Sequence, residues 1–192
     1  MLEGYAYGGS EEMLHVAIDG LKKHQGVFMT AWNGPRCADY SQNSSCVTDS
    51  LELTHGVSWN EIAKLWALAA PWSAAEHGAW LNASDNAYSR MAELDLLPYG
   101  VNSGQEALSG VAPNASSETC DVSDFIHSNT WLLRNTGKGL YGDRLERAFH
   151  NAAAGALNRD YTKHVYYQNP NLQHIPVDFR EYGDNISRRC VS

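Results

Sequence analysis

The chain has 192 residues, 43% of them hydrophobic, and a formal net charge of −8. That length and apolar content suit one domain with a real core and exclude wholesale disorder. The acidic balance disfavours nucleic acid, whose phosphates would repel such a surface, and no apolar run approaches the ~20 residues that span a membrane. The basic pairs Lys22-Lys23 and Arg188-Arg189 make no stripe, and Met1–Tyr5 has neither the basic nor the apolar region of a signal peptide.

Taken in order, Ser10 to His24 reads as an amphipathic helix. Met13, Val16, Ala17, Ile18 and Leu21 recur at helical spacing, Ser10 serves as N-cap, and Glu11 and Glu12 favour the helix dipole. Residues 27 to 50 read as loop, with Gly34-Pro35 as a breaker. Thr54 to Ala70 is a second helix that carries Val57, Ile62, Leu65, Trp66 and Leu68, and Pro71 closes it. Ser73 to Leu94 is a third, ended by Pro98 and Gly100. Residues 96 to 120 form a long polar loop, the kind that is usually functional or disordered in a compact domain. Asp121 to Asn135 is helical around Val122, Phe125, Ile126, Trp131 and Leu132, and Gly137 and Gly139 mark its end. Tyr141 to Leu157 is another helix, with Leu145, Ala148, Phe149 and Ala152 turned inward. Residues 160 to 192 are extended or irregular. The expected class is all-α, built of helical hairpins joined by loops.

Six Trp and ten Tyr are generous for this length. Such rings fill cores first, but they also suit the flat apolar faces of sugars. Cys37 and Cys46 sit in one short polar loop and could close a local disulfide in an oxidising compartment. Four N-x-S sequons, at Asn43, Asn82, Asn114 and Asn185, point with them to an extracellular protein.

The chemistry gathers between Gly104 and Asp121. Glu106 lies between Gly104 and Gly110, where backbone can approach a ligand closely, and Glu118 precedes a helix N-terminus, where a carboxylate is stabilised. A pair of carboxylates is what glycoside hydrolysis needs, one to protonate the leaving oxygen and one on the other face. The plain alternative is a solvated loop Glu and a helix cap. Glu118 and Cys120, two residues apart, could share a zinc ion, with Cys190 as a third ligand after the chain folds back. A lone Cys is otherwise a small buried hydrophobe. His55, His127 and the Tyr166-Tyr167 pair each read as ligand contact or as core, His150 reads as structural, and His164 and His174 as solvent-facing.

Five segments occur in a telling order: His55-Gly-Val57, Ser103-Gly-Gln-Glu106-Ala-Leu-Ser-Gly110, Glu118-Thr-Cys120-Asp121, Tyr141-Gly-Asp-Arg-Leu-Glu-Arg-Ala-Phe149-His-Asn151 and Tyr167-Gln-Asn-Pro170. From about residue 50 to the end the chain resembles the catalytic domain of the β-L-arabinofuranosidases, glycoside hydrolase family 127. The resemblance implies an (α/α)6 toroid of helical hairpins, with residues 1–192 a single partial domain of it. It also implies a retaining mechanism in which a zinc-bound cysteine thiolate is the nucleophile and a Glu is the acid/base. Matched by position, Glu106 is the acid/base, Glu118 and Cys120 are zinc ligands, and His55 and Tyr167 face the carbohydrate. Cys190 falls where that family has two adjacent cysteines, one nucleophile and one ligand, and it matches either. Here the pair reads Arg189-Cys190. The resemblance therefore leaves two alternatives beside the enzyme: a catalytically degenerate carbohydrate-binding relative, or an inactive truncated fragment.

Overall fold

The computed structural model describes residues 1–33, 55–104, 108–162, 164–169 and 171. Cys37, Cys46, Glu106, His174 and Cys190 lie outside the described residues, as do the sequons at Asn43 and Asn185.

The described chain is all-α apart from one short ribbon. Its elements are α1 (Leu2–Ala6), α2 (Glu11–Asn33), α3 (Gly56–Ala69), α4 (His77–Leu94), β1 (Ser117–Glu118), α5 (Thr119–Thr136), α6 (Gly139–Ala148) and β2 (Tyr167–Gln168). Helix α2 runs on to Asn33, past the loop boundary expected after His24, because no breaker intervenes before Gly34-Pro35. Helix α4 begins at His77 rather than Ser73. Pro71 first opens a 3-10 turn, Ala70–Trp72, after which Ser73 is extended. Helix α5 begins two residues before Asp121, so Cys120 belongs to its first turn and not to a loop. It ends as expected on Gly137, which takes the left-handed conformation at φ 70°. The expected helix Tyr141–Leu157 is α6 followed by a π-helical turn at Phe149–Ala153, and the changed phase leaves Phe149 54% exposed.

Helices α3 and α5 lie side by side and parallel. Asn60 bonds Asp121, Ser128 bonds the carbonyl of Asn60, and Asn135 bonds the carbonyl of Ala67, so the register advances the same way along both. Helix α4 returns antiparallel on α3, with Trp59 against Tyr88 and Trp66 against Trp80. The Ser84 hydroxyl is built into α3 itself: it donates to the carbonyl of Ala63 (2.6 Å) and accepts from the amide of Ala67 (2.9 Å). Helix α6 folds back behind α5 and joins α4 through Asp85, which takes hydrogen bonds from Lys138 and Tyr141. The result is one layer of parallel helices backed by a layer of returning ones.

The core lies between the layers. Trp59, Trp66, Trp80, Tyr88, Phe125 and Tyr141 are all buried there. Each such side chain contributes roughly 1.5–3 kcal/mol by leaving water, so these six rings serve core packing and not sugar stacking. In α2 only Ile18 of the expected stripe is fully buried; Ala17 and Leu21 pack at the edge, while Met13 and Val16 stay exposed.

Asp121 is the tightest point. It is fully buried, accepts hydrogen bonds from Asn60 (2.8 Å) and Asn102 (2.7 Å), and lies against Gly56 and Gly104. A Cβ on Gly104 would stand 2.3 Å from an Asp121 carboxylate oxygen. Gly104→Ala is therefore expected to cost about 1–3 kcal/mol through overpacking, seen as a lower urea midpoint with an unchanged slope. An alanine variant as stable as the wild type would contradict this packing.

Candidate functional site

The ends of α3 and α5 that face the same way are their N-termini, His55 and Glu118. His55 Nε2 lies 3.3 Å from Glu118 Oε2. Glu118 is the residue before α5 and is only 2% exposed, so it is a buried carboxylate at the positive end of a helix. Beyond this His55 contact, its Oε2 has no hydrogen-bond partner among the described residues. The Tyr166 hydroxyl hydrogen-bonds the same carboxylate. Burial, then this bond and the charge of Glu118, push the Tyr166 phenol upward, so it remains a proton donor at neutral pH.

A small ribbon fixes these groups. β1 pairs antiparallel with β2, and Glu118 stands directly opposite Tyr167. On the other side of β1, Gly104 bridges Ser117 in parallel, with its amide on the Ser116 carbonyl (2.8 Å) and its carbonyl accepting from Glu118 (3.3 Å). The Tyr99 hydroxyl staples the ribbon from beneath, bonding Ser117 Oγ and the carbonyl of Gln168. Asn169 donates to the carbonyl of Ala115, a structural tie. Thus His55, Glu118, Tyr166, Tyr167 and the Gly104 stem come together from four separate stretches of sequence. Glu106, two residues beyond that stem, and Cys190 lie outside the described residues.

The stem is closed by Asp95. Its Oδ1 accepts from Ser103 Oγ (3.2 Å) and from the amide of Gly110 (2.9 Å), while Ser103 Oγ accepts from the amide of Ser109 (3.0 Å). Burial raises the Asp95 carboxyl above its ordinary range despite these bonds. The two ends of the segment holding Glu106 are thereby pinned to one side chain, which motif reading alone missed. The only sequence signal was a polar residue one position past the end of a helix.

Cys120, half-buried, borders a cleft of about 350 Å³ that also meets Val122, Ile126, Ala156 and Leu157. His164 lines this cleft and is partly buried, where solvent exposure was expected. His127 is 45% exposed, so it is no core residue. Together with Glu61 and Asp124 it forms a group whose potential ligand atoms lie within 4.8 Å of one another. Lys64 Nζ contacts both Glu61 and His127, so a fixed ammonium already supplies positive charge there.

No family model matches this sequence, and no curated protein does. Solved structures do. The chain is similar to a GH127 β-L-arabinofuranosidase from Geobacillus stearothermophilus T6, with a TM-score of 0.54 and 20% identity over 60% of this chain and 19% of that one. It is similar also to a second GH127 β-arabinofuranosidase, with a TM-score of 0.61 and 18% identity over 88% of this chain and 26% of that one. The fold is that of a part of these proteins, and the chain spans about a fifth to a quarter of their length.

Asp95→Ala is expected to release the 103–110 stem without unfolding the helices. Losing a hydrogen bond to a charged group costs about 1.5–3 kcal/mol, roughly 10- to 100-fold in opening. Amide exchange at Ser109 and Gly110 should rise by that factor while amides in α3 and α5 hold. Unchanged exchange at Gly110 would rule out the clasp.

Proposed function

We propose that the chain is part of a glycoside hydrolase that cleaves β-L-arabinofuranosyl or related plant-wall sugars with retention, in an extracellular setting. The observation that carries this reading is the meeting of His55, Glu118 and Tyr167 beside the Gly104 stem, in a fold shared with part of the GH127 β-L-arabinofuranosidases.

The chemistry of Glu118 and Cys120 supports a zinc ion as the metal. Glu118 is buried with one oxygen that accepts no hydrogen bond, and Cys120 follows two residues later in the first turn of α5. A carboxylate and a thiolate form the kind of donor set that zinc takes. Glu118, Cys120 and Cys190 would hold it, and bound zinc would keep thiolate sulfur deprotonated near neutral pH. Glu106 would deliver a proton to the leaving oxygen as its bond to the anomeric carbon breaks. His55 and Tyr167 would bind and orient the sugar. Tyr166, donating to Glu118, would fix the carboxylate from behind.

One feature favours a second reading, a degenerate relative that binds carbohydrate without cleaving it. Arg189 precedes Cys190, so only one thiol is available where the enzyme reading asks for a nucleophile and a ligand.

Metal analysis of the purified protein is expected to find about one zinc per chain, lost in Glu118→Gln and retained in Glu106→Gln. Glu106→Gln should also abolish hydrolysis of an aryl β-L-arabinofuranoside, by about 10²–10⁴-fold for loss of a general acid. Zinc loss in Glu106→Gln, or unchanged turnover, would remove Glu106 from its role. Calorimetric binding of an arabinofuranosyl oligosaccharide with no turnover in the wild type would select the second reading.

A further inference from the structure

Along the α3–α5 seam, beyond Asp121, lies a second ionic cluster. Lys64 is 2% exposed, and its Nζ meets Glu61, Glu3 Oε1 at 3.4 Å and His127 Nδ1 at 3.1 Å. His127 Nε2 accepts from Trp131 Nε1 (3.1 Å) and lies 3.3 Å from Glu3 Oε1. Asp124 completes the cluster, with a carboxylate oxygen within 4.8 Å of one on Glu61 across the two helices. Three acids from α1, α3 and α5 therefore surround one ammonium.

Two carboxylates cannot hydrogen-bond each other, because both are acceptors only. A proton held between Glu61 and Asp124 would turn their close approach into a hydrogen bond. Without it, three negative charges face a single Lys64, and the pair repels. We propose that Glu61 and Asp124 form a proton-operated latch between α3 and α5, closed when they share a proton and loosened when it leaves. The helices it joins are those whose N-termini carry His55 and Glu118, so the latch sets how firmly that end is held.

The other charges support this reading. Burial, then the Glu61 charge, raise Asp124 to about 6, with Glu3 adding and Lys64 opposing. Asp121, one turn earlier on α5, is itself raised by burial and feels Asp124. From α4 and α6, Asp85, Lys138, Tyr141 and Arg144 are engaged with one another. A carboxyl raised in the folded state favours folding on the acid side. Its contribution is complete below the unfolded value of 3.8 and is lost as pH rises through about 6.

The test is thermal unfolding of the whole 192-residue chain near pH 5 and near pH 7.5, as wild type and as Asp124→Asn, with a carboxyl-carbon NMR titration of the wild type. On acidification the wild type should gain about 2–4 °C in Tm relative to Asp124→Asn. The Asp124 carboxyl should titrate with a midpoint near 6. An identical pH response in the variant, or an Asp124 midpoint near the ordinary value, overturns the latch. If Asp124→Asn does not fold, the wild-type titration alone decides.

Discussion

The described structure depends on one buried carboxyl. Asp121 sits in the first turn of α5, takes an amide hydrogen bond from Asn60 on α3 and another from Asn102 in the following loop, and presses on Gly56 and Gly104. Burial holds it well above the usual carboxylate range, with Glu118 and Asp124 adding to the effect and the two amides opposing it. Asn60 is fixed in turn by the Tyr88 hydroxyl at 2.8 Å, so the clasp reaches through α3 into the aromatic core. A buried polar group of this kind is costly unless its partners are in place, which is why such a network specifies one arrangement.

The site follows from that clasp. With the starts of α3 and α5 joined at Gly56 and Asp121, His55 and Glu118 become neighbours, 3.3 Å apart. With Gly104 drawn onto the same carboxyl, Gly104 pairs with one edge of β1, while β2 brings Tyr167 to the other edge. Asp95 and Tyr99 lock the two sides. Helices supply rigidity and charge-stabilising termini, and the loop and ribbon segments close against them at one end.

The same seam has two electrostatic characters. At its N-terminal end the buried carboxyls, Glu118 and Asp121, meet His55, Tyr166, Asn60 and Asn102 and no lysine or arginine among the described residues. Further along, Glu61 and Asp124 are balanced by the nearly buried Lys64. A cation-filled cluster and a cation-poor one thus lie on neighbouring turns. Glu118 Oε2 meets His55 and no lysine or arginine among the described residues.

The sequence by itself determined the all-α class, the positions of α3, α4 and α5 to within a few residues, and the left-handed stop at Gly137, because periodicity and glycine punctuation are local properties. It also marked Glu118 as the residue before a helix, and its ordered segments resembled the family whose fold the chain shares in part. It did not determine that Gly104 and Gly56 are needed for contact with Asp121, that Asp95 clasps the stem, or that Glu61 and Asp124 share a cluster with Lys64. Gly56 and Asp121, and Glu61 and Asp124, are far apart in sequence and meet only once α3 and α5 lie parallel, while Asp95 meets Gly110 only when the intervening loop closes. Tertiary packing decided them, because a carboxyl buried between two helices takes its partners from whichever surfaces close over it, and no local pattern encodes which surfaces those are.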